Sequence, residues 1–164
     1  MWKAVTPINE ANNNENFVPI YADKQWKITM LPIAASVAME AGTAIGIQIV
    51  SNTTTGNNTV MWTENAAWAD FVGIIQEVIA TSDTDYATAG KLKAVSIPTT
   101  KEAEAEFTVG AGTFTAIDVG KTVEFHSDSK SLAVDTAGKG ARVSGYTSAT
   151  RGTCKFDLPT SETA

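Results

Sequence analysis

Short runs of alternating apolar and polar residues, separated by turn residues, constrain the fold of this chain most strongly. The stretch from Phe71 to Pro98 opens with an apolar, β-branched run through Ile75, which is typical of a buried strand. A loop of small and acidic residues follows. Residues 91–97 then alternate before Pro98, which has no N–H to donate to a ladder. The stretch predicts two strands joined by an exposed loop that carries no catalytic signature.

The same pattern recurs along the rest of the chain. It predicts further strands at residues 27–33, 44–50, 60–62, 103–109, 122–126, 131–135, 141–146 and 153–158. Strands this short, with turn residues between them, indicate small barrels or sandwiches. We therefore predict an all-β protein with two small β-barrel or sandwich units. The predicted parts are an extended N-terminal arm at residues 1–26, a first β unit at 27–99, a second β unit at 100–158 and a loose tail at 159–164.

Composition narrows the function classes. The net charge is −6 and no stretch concentrates Lys and Arg, so a nucleic-acid partner is not expected. One cysteine permits no internal disulfide, and with one histidine any metal site would consist mostly of carboxylates. The apolar runs are too short to span a bilayer. No basic-then-apolar leader opens the chain, so we expect no membrane partner and synthesis in a cytoplasm.

Two motifs resemble ligand sites but have simpler interpretations. Gly120-Lys121-Thr122 looks like the end of a phosphate-binding loop, yet the required earlier glycine is replaced by Thr115 and a strand follows. Asp83 and Asp85 are spaced as calcium ligands can be, but no glycine or glutamate follows at the positions that an EF-hand needs. We interpret this second segment as a solvated loop.

Other reactive side chains also lack partners in the sequence. His126 lies on the polar side of its strand with no acidic or nucleophilic residue at a recognisable spacing, and Cys154 lies on an apolar side, where a thiol behaves as a small hydrophobe. Trp62 and Trp68 are interpreted as core or interface residues, with sugar stacking as the functional alternative. We predict no catalytic residue, no metal, no cofactor and no enzymatic activity.

The N-terminal arm combines extended backbone with aromatic residues. Pro7 and Pro19 oppose helix. A disordered terminus is the simple alternative, but disordered segments are usually poor in aromatics. We expect an extended arm that is ordered by a partner chain or by its own body, with strand addition to a neighbour's sheet edge as the mode that suits it. The candidate contact residues are Trp2, Val5, Ile8, Phe17, Val18, Ile20, Tyr21 and Trp26.

Six segments together carry a family resemblance that covers roughly residues 28–157. They read AASVAMEAGTAIGI (34–47), FVGI (71–74), ATSDTDYATAGK (80–91), FTVGAGTFTAIDV (107–119), HSDSKSL (126–132) and YTSATRG (146–152). This set of turns and strands resembles the capsid decoration proteins of tailed bacteriophages. The resemblance implies a β-rich protein without catalytic function, which binds an assembled shell, often as trimers, and strengthens it against internal DNA pressure.

The resemblance also implies partners and a location. The major capsid protein and a homotrimer of this chain are the expected partners, docking is expected through the N-terminal arm, and the expected location is the capsid surface of a virion made in the host cytoplasm. Two alternatives stay open. One is a head-fibre or virion surface protein that binds host glycans. The other is an enzyme of unknown type, which would need a pocket that gathers Asp, Glu or His126 side chains.

Overall fold

The structure, a computed structural model, describes residues 16–51, 58–64, 71–138 and 140–156. Its strands are β1 (Val18–Pro19), β2 (Trp26–Ile33), β3 (Ala44–Ser51), β4 (Asn58–Glu64), β5 (Phe71–Ile75), β6 (Lys91–Pro98), β7 (Glu104–Ala111), β8 (Thr122–Phe125), β9 (Leu132–Ala137), β10 (Ala141–Ser148) and β11 (Arg151–Lys155). The helices are α1 (Ala22–Gln25) and a 3-10 turn at Ala116–Asp118. The predicted all-β class is confirmed.

The strands form two sheets, and each sheet returns on itself. The first sheet is a closed barrel with the strand order β2-β4-β3-β5-β6. The second has the order β1-β7-β11-β10-β8-β9, and β9 also pairs in parallel with β7, which closes a ring of five strands. We name β2–β6 the first barrel and β7–β11 the second barrel. The short β1 adds to β7 from outside that ring.

The two barrels connect their five strands in the same way. In each, the first strand pairs in parallel with the third and antiparallel with the fifth. The second strand pairs antiparallel with the third and the fourth, and the fourth pairs antiparallel with the fifth. One five-stranded topology therefore occurs twice in this chain.

The residue register is also the same in both barrels. Ala44 lies opposite Ile74 in the first barrel, and Thr122 lies opposite Arg142 in the second. Rows that cross three strands correspond as well: Ile33–Trp62–Ile47 and Val109–Leu132–Phe125. A single set of residue equivalences therefore relates the two barrels, which the sequence patterns did not predict.

The turn that enters the second strand of each barrel shows how closely the backbones correspond. Gly42 and Gly120 have φ angles of 91° and 95°, a region that glycine adopts with little steric cost. The N–H of Gly42 donates to the carbonyl of Ile75 over 2.8 Å, and the N–H of Gly120 donates to the carbonyl of Val143 over 2.8 Å. Glycine is thus needed at the same point of both barrels.

The barrel interiors differ in composition. The interior cluster of the first barrel is aliphatic and consists of Ile33, Met39, Ile45, Ile75, Ile79 and Val95. The second barrel uses rings as well, and its buried residues include Phe107, Phe114, Val123, Leu132, Val143 and Cys154. The buried Cys154 takes the place that Val95 has in the first barrel, because each lies opposite the equivalent residue of the preceding strand. Its predicted burial is confirmed.

The predicted arm is not extended throughout its described part, residues 16–26. Val18 and Pro19 form β1, Ala22–Gln25 form α1, and Trp26 already opens β2. The helix follows Tyr21, which has a φ of 53°. Strand patterns miss such a single turn because four residues show no periodicity. Within the described ranges, α1 is the longest helix and none is long and apolar enough to cross a membrane.

Candidate functional site

The residues predicted for the arm do not lie together on the surface. Trp2, Val5 and Ile8 fall outside the described residues. Val18 and Ile20 are half-buried beside the second barrel, where β1 pairs with β7. Their predicted role in capsid binding stays a prediction.

Of the remaining three arm residues, one is exposed and two are buried. Tyr21 is exposed, whereas Phe17 and Trp26 are only 1% and 5% exposed. Both buried rings pack within this chain, and the indole N–H of Trp26 donates to the carbonyl of Glu104 over 3.0 Å. In this conformation Phe17 and Trp26 present almost no surface to a partner.

These two rings belong to an aromatic cluster between the barrels. The cluster consists of Phe17, Trp26, Phe71, Phe125 and Phe156. Phe71 of the first barrel stacks on Phe156 of the second with ring centroids 4.7 Å apart and planes 10° apart. Phe17 meets the edges of Phe125 and Phe156, each at 5.6 Å. Each such pair contributes about 0.5–1.5 kcal/mol beyond burial of its area, so the arm helps to join the two barrels.

The point at which the arm enters the body is fixed by hydrogen bonds. The Asn16 side-chain amide donates to the carbonyl of Ala41 over 2.6 Å, and Asn16 is fully buried. The N–H of Phe17 donates to the carbonyl of Gly42 over 3.2 Å. These hydrogen bonds fix Asn16 and Phe17 to the turn at Ala41 and Gly42.

The most unusual surface is the outer side of two neighbouring strands of the first barrel. Ile28 and Met30 on β2 are 65% and 52% exposed, and Leu92 on β6 is 59% exposed. Strand alternation places them on the side opposite to the buried Ile33 and Val95. We define the apolar face as the six residues of these strands that lie on this side, of which Ser96 is buried: Ile28, Met30, Pro32, Leu92, Ala94 and Ser96. None of them carries a charge.

The equivalent surface of the second barrel is charged. The register matches the row Ile28–Ser96 with Glu104–Lys155, the row Met30–Ala94 with Glu106–Thr153, and the row Pro32–Leu92 with Thr108–Arg151. We define the charged ladder as Glu104, Glu106, Thr108, Arg151, Thr153 and Lys155. The two barrels therefore present opposite chemistry at the same positions of the same framework.

Ion pairs satisfy the side chains of the charged ladder. Arg151 Nη2 lies 3.0 Å from Glu106 Oε2, and Arg151 Nη1 donates to Thr108 Oγ1 over 2.8 Å. Lys155 Nζ donates to Glu102 Oε2 over 2.7 Å. That hydrogen bond lowers the pKa of Glu102 and raises the pKa of Lys155. Opposite charges paired across strands suit a surface that faces water.

The apolar face continues into the contact between the barrels. Across the strands, Ile28 lies in one row with Ser96 and Ile74, and both of these are buried. Along β2, Ile28 shares a side with Trp26, which lies in the aromatic cluster. The second barrel thus covers one end of this sheet surface, and the rest is exposed.

The loop that the sequence suggested as a calcium candidate is held by lysines. Asp85 Oδ2 lies 3.1 Å from Lys93 Nζ, and this hydrogen bond lowers the pKa of Asp85. Asp83 accepts the N–H of Ala80 over 2.9 Å. Lys91 is buried and donates to the Tyr86 carbonyl over 2.8 Å, while desolvation lowers its pKa. Both carboxylates have structural partners in the loop.

Two further candidates from the sequence, His126 and Lys121, lie close to a carboxylate, and a third, Cys154, is buried. His126 Nδ1 lies 3.3 Å from Asp128 Oδ2, a neighbour that strand alternation did not reveal because the chain turns between them. Lys121 Nζ donates to Asp118 Oδ1 over 2.7 Å. Burial raises the pKa of the Cys154 thiol, which makes a thiolate unfavourable. Among the described residues, no group of three His, Cys, Asp or Glu side chains is arranged to hold a metal ion.

Comparison of the chain with models of protein families, with curated proteins and with solved structures gives no match in any of the three sets. The side chains of Trp62 and Trp68, the candidates for sugar stacking, lie outside the described part of the structure. The comparisons therefore assign no site. The apolar face stands out because large apolar side chains are exposed on it.

Proposed function

We propose that this protein is a structural virion protein that binds the outside of an assembled tailed-phage capsid and stabilises it. The sequence segments that resemble decoration proteins support this proposal. The all-β body is consistent with it, since a protein that reinforces a shell needs a rigid body and a means of attachment. The proposal assigns no catalytic step to the chain.

The observation that carries the proposal is how the arm meets the body. Phe17 already fills the aromatic cluster, and Asn16 is fixed by its hydrogen bond to Ala41. The apolar residues Trp2, Val5 and Ile8 precede them in sequence. We propose that they contact the major capsid protein.

Many identical sites on a shell suit this arrangement. The proposal includes a homotrimer, in which modest affinity per subunit is multiplied because binding of one subunit raises the local concentration of the others. It places the protein on the virion surface after synthesis in the host cytoplasm. Nucleic acid and membrane are not among the proposed partners.

Co-sedimentation with capsids that lack the protein tests the proposal. The two proteins to compare are the full-length chain and a variant with Trp2→Ala, Val5→Ala and Ile8→Ala. Deletion of residues 1–26 is unsuitable because it removes Phe17 and Trp26 from the core. We expect the full-length chain to sediment with capsids and to raise their melting temperature, and the variant to lose most of this binding.

A variant with Asn12→Ala, Asn13→Ala and Asn14→Ala is the matched control, since it changes three polar residues of the same segment. Equal binding by all three proteins would keep the capsid function and move the contact to the barrels. Absence of binding by folded full-length protein would contradict the proposal for that capsid, and screening against host glycans would be the next step.

A further inference from the structure

We propose that the apolar face of β2 and β6 is an interface at which one copy of this chain binds a second copy. The face exposes more than half of Ile28, Met30 and Leu92. Contiguous exposed apolar patches of this kind mark interaction sites in soluble proteins. This inference does not rest on the capsid proposal, since it concerns the purified chain alone.

The second barrel shows that the framework does not require this surface. At the equivalent positions it carries Glu104, Glu106 and Arg151, and Arg151 forms an ion pair with Glu106 across the strands. A five-stranded barrel with this register is therefore compatible with a charged outer surface. The barrel framework therefore does not explain why the first barrel carries apolar residues at these positions. Burial by a partner does explain it.

The apolar face is continuous with the contact between the two barrels, and this continuity indicates the chemistry of the partner. The same sheet surface is already buried at Ile74 and Ser96, and Ile74 belongs to a hydrophobic cluster that includes residues of the second barrel. That contact is apolar and aromatic, so the surface is suited to packing against this protein's own body. A second copy extends this burial along the rows that begin at Ile28 and Met30.

The absence of charge on the apolar face suits contact between identical surfaces. A two-fold contact, distinct from the three-fold contacts of the proposed homotrimer, places the same patch on both subunits, so that the patch must be self-complementary. A patch without charges opposes no like charges when it meets its copy. Two sheet faces can also pack against each other, at a separation of about 10 Å.

The size of the apolar face determines how strongly two copies of the chain are expected to bind. Stable interfaces bury about 800 Å² on each partner, and six residues on two strands provide the centre of such an area. We therefore expect association that depends on protein concentration. Copies should dissociate on dilution.

Sedimentation velocity of the purified full-length protein over a range of concentrations tests the inference. We expect the weight-average sedimentation coefficient to rise with concentration for the wild-type chain. Met30→Glu introduces the residue type found at the equivalent position of the second barrel, Glu106. Like charges then oppose one another at the interface, and we expect self-association to weaken by about tenfold or more.

Ile117→Glu is the matched control, because Ile117 is 82% exposed on the second barrel's side of the chain and lies outside the apolar face. It should associate like the wild type. Leu92→Glu is a second test on the face itself, checked for folding by circular dichroism. A wild-type protein that stays monomeric at all concentrations, or folded Met30→Glu and Leu92→Glu variants that associate as the wild type does, would overturn the inference.

Discussion

The first and second barrels share one topology and one register, yet they distribute apolar residues differently. The first barrel has an aliphatic interior and leaves Ile28, Met30 and Leu92 on its outside. The second has an interior that includes aromatic rings, and ion pairs line the equivalent outer surface. Backbone pairing therefore defines the barrel, while the outward residues determine whether the outer surface of each barrel suits contact with water or with another protein surface.

A second difference between the barrels concerns the burial of the surface formed by β3 and β5 and of its equivalent in the second barrel. Ala44 and Ile74 in the first barrel are buried against the second barrel, whereas the equivalent Thr122 and Arg142 are half-buried and exposed. The contact between the barrels is therefore heterologous, since unlike surfaces meet. Such contacts extend into filaments when both surfaces recur at the free ends. The polar surface at Thr122 and Arg142 prevents the second barrel from repeating this contact.

Removal of the ring that joins the barrels should have the largest effect on stability. Phe71→Ala deletes the partner that stacks on Phe156, and we expect a loss of about 3–5 kcal/mol of unfolding free energy. Urea denaturation measures this loss. Tyr21→Ala is the control, because Tyr21 is exposed, and it should change stability by less than about 0.5 kcal/mol. Similar losses for both variants would contradict the assigned role of the cluster.

The equivalent glycines provide the next test. Alanine at Gly120 should cost about 1–2 kcal/mol, because its positive φ disfavours a Cβ atom, while its surroundings are open. Alanine at Gly42 meets the same restriction and also places its Cβ 2.9 Å from the Phe17 carbonyl oxygen. We expect an additional loss of about 1–3 kcal/mol at Gly42. Equal losses in denaturant titrations would show that the arm does not pack against Gly42 in solution.

Acid should weaken the ion pair beside the charged ladder. The pKa of Glu102 is lowered by its hydrogen bond from Lys155, so the stabilisation is present above the unfolded-state value, about 4.3. It is lost as the pH falls through the lower folded-state pKa. Glu102→Gln should therefore be less stable than the wild type at pH 7, and the difference should shrink as the pH falls below about 4.3 and vanish below the folded-state pKa.

Urea titrations of both proteins at several pH values measure this dependence. Because Glu102 is exposed and Lys155 is only half-buried, the difference at pH 7 should be small. A stability difference that is constant over the pH range would show that the pair makes no ionic contribution.

The smallest effect is expected for the stability of a charged variant of the apolar face. Met30→Glu places a charge where the side chain is already exposed to water, so the unfolding free energy of dilute protein should change by no more than about 0.5 kcal/mol. Thermal denaturation at low concentration measures it. A loss above about 2 kcal/mol would mean that Met30 packs within its own chain.

Much of the fold could be predicted from the sequence because strand alternation is a local signal. The alternation of residues 91–97 correctly separated Leu92, Ala94 and Ser96 from Val95 and Ile97. The duplication was not predicted, since equivalent positions such as Met30 and Glu106 differ in chemistry. Their equivalence lies in pairing between distant strands, which no local pattern shows.

The candidate site was harder to predict for a related physical reason. The sequence predicts strands at β2 and β6 but does not tell which sheet face a neighbour covers, so it gives no sign that Ile28, Met30 and Leu92 are exposed. Phe17 and Trp26 were assigned to a docking arm, since an aromatic residue near a terminus gives no sign of whether its own body buries it. The structure shows that this chain buries both.

Oxidation of Met30 tests the central claim, that the apolar face is a binding surface, most directly. Met30 is 52% exposed and Met39 is 4% exposed, so hydrogen peroxide should oxidise Met30 faster in dilute full-length protein, with Met39 as the internal control. Peptide mass spectrometry follows both rates. We predict that Met30 becomes protected as the protein concentration rises, while Met39 does not change. Equal oxidation of Met30 at all concentrations would contradict the account.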